Sequence, residues 1–332
     1  MIVDTVIKLL SGSLINCSDH KTDAPTAREF LRSIDGTYIV ILLISAVISA
    51  ATIALGLLHI AYVYNYVTHR FRKCFIIYLA GTAPLISLFA LIAMFMPRVW
   101  FLAHLLGFLY FSIALWVIIC LLLNIFDGRR SLVKKINETT SRITVQTPPI
   151  CCFFPCLPSF DLDMKKIRCC ELMVIQAAFF RLLFTLVSLV LFFEYHNGAL
   201  VALKITDYIS LPSLLIGLYG THILVTAVSQ VDELLPYRYV IVFRLLDFYF
   251  AFFGLQHPIF DLMARAGVFG CGTAMPALET AFFWKNFAVI IESFFVTLIS
   301  SVLLKPSRSA LFDKYPSGRS TNSSQTIQES DT

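Results

Sequence analysis

Polar and apolar positions along this chain alternate over tens of residues rather than over two or four. Seven apolar runs, near Tyr38–Tyr64, Phe75–Met96, Phe101–Phe126, Leu172–Phe193, Tyr208–Val231, Tyr239–Gln256 and Ala281–Leu304, stand between shorter polar connections. A helix needs roughly 20 apolar residues to cross a bilayer, and each run is of that order. Inside a bilayer no water is available to the backbone N–H and C=O groups, so such runs predict helices. The expected fold is all-α: a polytopic membrane protein with a bundle of seven transmembrane helices. The sixth run is the least regular, because Arg244 and Asp247 interrupt it. Residues 1–36 form a polar N-terminal segment, 37–304 the membrane domain with a long connection at 127–171, and 305–332 a tail. From Tyr315 onward the tail is dominated by Ser, Thr, Asn and Gln, which predicts disorder. Met1–Leu10 holds Asp4 and Lys8 and lacks a basic leading region. It reads as a short amphipathic helix rather than a cleaved signal.

Composition agrees. Of 332 residues, 58% are hydrophobic, 14% are charged and 30 are Phe, an apolar surplus that no single soluble core could hide. The net charge of +5 matters less than its placement. With the N-terminus outside, the inner connections hold Arg70, Arg72, Lys73, Arg129, Arg130, Lys134, Lys135, Arg142, Lys165, Lys166, Arg168, Arg238, Lys305, Arg308, Lys314 and Arg319. The outer ones hold half as many: Lys8, Lys21, Arg28, Arg32, Arg98, Lys204, Arg265 and Lys285. The positive-inside rule therefore predicts N-terminus outside and C-terminus cytoplasmic. On that topology Asn16, in Asn16-Cys17-Ser18, is the usable glycosylation acceptor. Cys17 and Cys271 face an oxidising space, as a disulfide or as two free thiols.

The connection 127–171 contains Thr-Pro-Pro-Ile-Cys-Cys-Phe-Phe-Pro-Cys-Leu-Pro, bracketed by basic residues. Cys151, Cys152 and Cys156 in such a setting are candidates for S-palmitoylation at the inner membrane surface. Unmodified cysteines are the plainer alternative. Zinc would need a second ligand pair at suitable spacing, and only the adjacent Cys169 and Cys170 follow, so no metal is expected.

Polar groups within the runs carry the remaining chemistry. Arg181 lies near the middle of the fourth, where a charge needs a partner or a wet cavity, and Glu292 in the seventh is one candidate partner. Arg244 and Asp247 share a helical face and are able to pair. Gln176, His222, Gln230 and Gln256 add polar points. Read functionally, Arg181, Glu292, Gln176, Arg244, Asp247 and Gln256 line a substrate route. Read structurally, they are interhelical bonds that fix the bundle. Ala46, Ala50 and Ala54, with Ser45 and Ser49, offer a close-approach face on the first run. Pro84, Pro212, Gly217 and Gly220 offer bends in the second and fifth. No HExxH, GxSxG or phosphate-cradling loop occurs, so neither an enzyme nor a cofactor is expected.

The order of features resembles the alpha subunit of the organic solute transporter family. The matching stretches are Ala24-Pro25-Thr26-Ala27 with Phe30-Leu31-Arg32, Ala83-Pro84, Met96-Pro97-Arg98 and Asp127-Gly128-Arg129. The cysteine stretch with Lys165-Lys166, Leu255-Gln256-His257-Pro258-Ile259-Phe260 and Ile291-Glu292-Ser293-Phe294-Phe295 complete them. The resemblance implies facilitated transport of amphipathic organic solutes (bile-acid-like, steroid and sulfated conjugates) across the plasma membrane, with a small single-span beta-type subunit. It implies that Arg181 and Glu292 take the places of the family's basic and acidic residues in the fourth and seventh spans, and that Cys151, Cys152 and Cys156 are lipidated. The rival readings are a seven-span receptor and a membrane-organising or trafficking protein without flux. Against the receptor, the third run ends Leu-Asn-Ile-Phe-Asp-Gly-Arg-Arg, and the seventh lacks Asn-Pro-x-x-Tyr.

Overall fold

The computed structural model describes residues 25–139, 163–195, 200–269 and 275–313. Asn16, Cys17, Cys151, Cys152, Cys156 and Cys271 lie outside the described residues, as does the tail from residue 314. The first described helix, α1 (Ala27–Ser33), opens on a capping box. Thr26 Oγ1 accepts from the Glu29 N–H, and the Glu29 carboxylate accepts from the Thr26 N–H. That cap aims Phe30 inward, edge-on to Phe283.

Among the described residues seven helical spans are long and apolar enough to cross a membrane. They are α2 (Gly36–Tyr66), α3 (Arg70–Ala80) continued by α4 (Thr82–Phe95), α5 (Trp100–Ile125), α7 (Met164–Tyr195), α8 (Leu200–Val228), α9 (Tyr239–Arg265) and α10 (Ala277–Leu303). The short helix α6 (Arg129–Thr139) follows α5. The second span breaks at Gly81, three residues before Pro84, which gives Ala80 no N–H to bond. The sixth span is longer than its apolar run, since α9 continues past Gln256 through Pro258 to Arg265.

Two packing expectations change. On α2 the buried stripe is Ser45, Ser49, Thr52, Gly56 and His59, while Ala50 and Ala54 face outward. The Ser87 hydroxyl donates to Ser49 across the α2–α4 contact at 3.0 Å, and a Cβ on Gly56 would lie 2.4 Å from Pro84 Cγ. Gly217 and Gly220, expected to loosen the fifth span, instead bring it against the fourth. A Cβ on Gly217 would lie 2.6 Å from Ala177 Cβ, and one on Gly220 3.0 Å from the Cys170 carbonyl.

α7 and α8 therefore run tightly together, and α5 ties them to the rest. α10 packs on α2, α4 and α9. Although consecutive, α8 and α9 scarcely touch. The tail drawn from residue 305 begins later than that boundary, for residues 305–313 fold back onto the bundle. Leu311 and Phe312 are buried, the Ala310 N–H donates to the Pro236 carbonyl, and Asp313 pairs with Arg72 at 2.6 Å.

Candidate functional site

The gap between α8 and α9 is a crevice of about 640 Å³, partly open, backed by α5 and α7. Its walls are mostly apolar: Phe108, Tyr208, Leu211, Leu214, Gly254 and Pro258. Arg181, Asp207, Ser210, His104 and His257 supply its polar part.

Arg181 is 5% exposed, and its guanidinium lies 4.6 Å over the Phe108 ring. Nη1 donates to Asp207 Oδ1 at 2.9 Å and to Ser210 Oγ at 2.7 Å. Nε and Nη2 are buried and without a hydrogen-bond acceptor. A guanidinium is a planar fork of five donors, so one edge of this fork is committed and the other is uncommitted.

The other carboxylate oxygen, Asp207 Oδ2, lies 3.3 Å from His104 Nε2, while Lys285 Nζ lies 3.4 Å from His104 Nδ1. An ammonium only donates, so Nδ1 accepts and Nε2 carries the hydrogen given to Asp207. The His104 ring stacks on His257 at 3.8 Å, and Lys285 sits 5.0 Å over the Phe253 ring. Arg181, Asp207, His104 and Lys285 thus form one buried polar chain across α7, α8, α5 and α10.

His104, Asp207 and His257 bring ligand atoms within 4.8 Å of one another, close enough for a metal ion. The Arg181 guanidinium, a fixed cation, bonds Asp207 of that set, and Lys285 bonds His104. Such an environment suits an anion better than a metal cation.

The sequence-derived partners rearrange. Arg181 pairs with Asp207 rather than Glu292. Glu292 accepts from Gln256, joining α10 to α9. Asp247 pairs with His222 at 3.2 Å, whereas Arg244 is exposed and lies near the Phe243 ring. Gln176 bonds Ser213 between α7 and α8, its carbonyl accepting from the Ser213 hydroxyl at 2.8 Å. Of the six candidate site residues, Arg181 alone lines the crevice.

Asp207, His104 and Lys285 escaped the sequence reading. Asp207 stands one residue before the point where the fifth apolar run was begun. Lys285 was counted with an outer connection, yet it is 2% exposed within α10. The available signal was their type: an ionisable side chain within a span is by default functional.

A sequence profile of the family described as Organic solute transporter Ostalpha matches residues 41–308. The chain belongs to the organic solute transporter alpha family. It is 58% identical to organic solute transporter alpha-like protein 2 of Caenorhabditis elegans, covering 99% of this chain and 96% of the relative. Alpha-like protein 3 of the same organism is 31% identical, over 92% of this chain and 88% of the relative. The organic solute transporter subunit alpha of Danio rerio is 22% identical, over 86% and 87% respectively. No solved structure matches the chain. Membership makes this a multi-pass membrane protein of a solute transporter family, and the crevice at Arg181 is its candidate solute site.

Proposed function

We propose that the chain carries out facilitated transport of amphipathic organic anions, of the bile-acid-like, steroid and sulfated classes, across the plasma membrane. A small single-span beta-type subunit works with it. One observation carries the reading: a largely apolar crevice is lined by Arg181, whose Nε and Nη2 are buried and have no hydrogen-bond acceptor. A ring system lies against Phe108, Leu211 and Leu214, and its anionic group takes Nε and Nη2, a bidentate arrangement suited to carboxylate or sulfate. The N-terminus is outside, with Asn16 glycosylated and Cys17 bridged to Cys271. The burial of Lys285 removes one cation from the outer connections and so strengthens the inner bias. Cys151, Cys152 and Cys156 carry acyl chains at the inner surface.

The test is uptake and efflux of a labelled sulfated steroid and a conjugated bile acid, in cells expressing the chain with and without a single-span partner, at matched surface expression. Saturable flux is expected, abolished in Arg181→Ala and partly retained in Arg181→Lys. Normal flux through Arg181→Ala at normal surface level would remove Arg181 from the route.

A further inference from the structure

A second cavity, of about 720 Å³, lies within the bundle between α2, α3, α4, α5, α9 and α10. The two sites share no lining residue but are neighbours on α9, where Tyr249 lines this cavity and Gly254 the crevice, about 8 Å apart along the helix axis. Ile76, Leu121, Leu246 and Val296 make its walls apolar. Its hydroxyls are already committed. Thr82 donates to the Tyr78 carbonyl of α3, Thr297 and Ser300 each donate to a carbonyl of their own helix, and Tyr249 shares a hydrogen bond with Ser293.

His59 is different. It is 6% exposed, it lines the cavity, and no hydrogen-bond partner for it exists among the described residues. An imidazole held in an apolar space without a partner forgoes a hydrogen bond that a ligand would restore. No Lys or Arg is among the lining residues, so an ionised headgroup would have no counter-charge there.

One side of the cavity is covered by the chain's own C-terminal segment. Leu311 and Phe312 form part of its lining, and the Phe312 ring stands edge-on to His59 at 6.1 Å. The segment is held by Ser309 Oγ donating to the Tyr237 carbonyl and by Asp313, which accepts from the Thr68 hydroxyl and from Arg72.

We propose that this cavity is a second ligand site, taking a neutral, rigid, apolar molecule with one hydroxyl, of the 3-hydroxysterol class. The hydroxyl bonds His59, the ring system fills the space between α9, α10 and α4, and the segment Arg308–Asp313 closes over it. This site is independent of the anion crevice, and its fate leaves the crevice reading untouched.

The test uses the purified full chain in lipid nanodiscs, a diazirine-bearing 3-hydroxysterol, its 3-deoxy counterpart, and peptide mapping after photolysis. Labelling is expected on α2, α9 and α10 within the cavity, with the deoxy probe about five-fold weaker, as one lost hydrogen bond gives. His59→Phe should bring the two probes level, and Phe312→Ala should speed labelling by both. Leu246→Phe, which narrows the cavity from the opposite wall, should lower labelling and serves if His59→Phe is not monodisperse. Equal labelling by both probes in the native chain, or labels confined to the outer faces or to the α8–α9 crevice, overturns the proposal. Flux of the hydroxysterol that is lost in His59→Phe places the site on a transport route. Site labelling without such flux makes the ligand a resident membrane lipid.

Discussion

The two cavities sit in the same bundle and share α5 and α9, yet they solve opposite problems. The crevice at Arg181 opens sideways between two helices that barely meet, and it concentrates charge: guanidinium, carboxylate, imidazole and ammonium in one connected chain. The cavity at His59 is also partly open, but its walls are apolar and hold, among the described residues, His59 as their uncommitted polar group. Burying a charge in a low-dielectric interior demands partners. Each partner is also a donor or acceptor that a ligand can share. Burying a single neutral imidazole makes a weaker demand, which one hydroxyl meets. The contrast teaches that the number of charges in a span says less about a site than how many of their hydrogen-bonding positions remain uncommitted.

Arg181→Ala should separate the two regions most sharply. It leaves the half-buried Asp207 carboxylate with His104 as its remaining side-chain partner, a loss of about 1–3 kcal/mol, and abolishes anion flux. Cavity labelling at His59 should survive in whatever fraction folds. Adding Asp207→Ala should recover much of the thermal stability without restoring flux, and a double-mutant cycle on melting temperature measures the coupling. Gly217→Val comes next. Its side chain must push α8 from Ala177 on α7, an overpacking cost of about 1–3 kcal/mol, read as a lowered detergent melting temperature. The crevice should change shape, and the His59 cavity should not.

Lys285→Met is a finer probe. The thioether keeps the packing against Phe253 and relieves a buried ammonium, so stability should stay within about 1.5 kcal/mol of the native chain, as volume-conserving replacements do. Flux of a sulfated steroid should fall roughly ten-fold, the loss of one hydrogen bond to a charged group. An unchanged flux would confine the polar chain to Arg181 and Asp207. The smallest effect belongs to Asp313→Asn. It weakens a partly exposed ion pair worth about 0.2–1 kcal/mol, so labelling at the cavity should speed slightly, and added salt should mimic the substitution in the native chain.

How much of this was legible before the structure differs between spans and site. Seven spans followed from run length, because the bilayer leaves the backbone no alternative to helix. Their ends did not, since a polar residue near a membrane face lowers local hydropathy without ending the helix. α8 begins at Leu200 and carries Asp207 inside it, and α9 runs on through Pro258. Arg181 was visible as a lone cation in an apolar stretch. Its partner was not, because helices α5, α7, α8 and α10 meet through packing rather than sequence distance. Glu292 and Asp207 were both available carboxylates, and the close approach of Gly217 and Gly220 to α7 decided for Asp207 by bringing α8 alongside. Small-residue spacing misled on α2 for a related reason: the alanines share one helical face, but the serines with Thr52 and Gly56 share the face that other helices need.

That same glycine contact has a mechanical meaning. With Cα atoms of α8 set directly against α7, the two helices present few long side chains to slide or reorient at their seam, and so they shift as a pair. Across the crevice, α9 packs along α10. The line between α8 and α9, crossed by the His222–Asp247 pair, is then where a slot can widen without a single backbone hydrogen bond being broken.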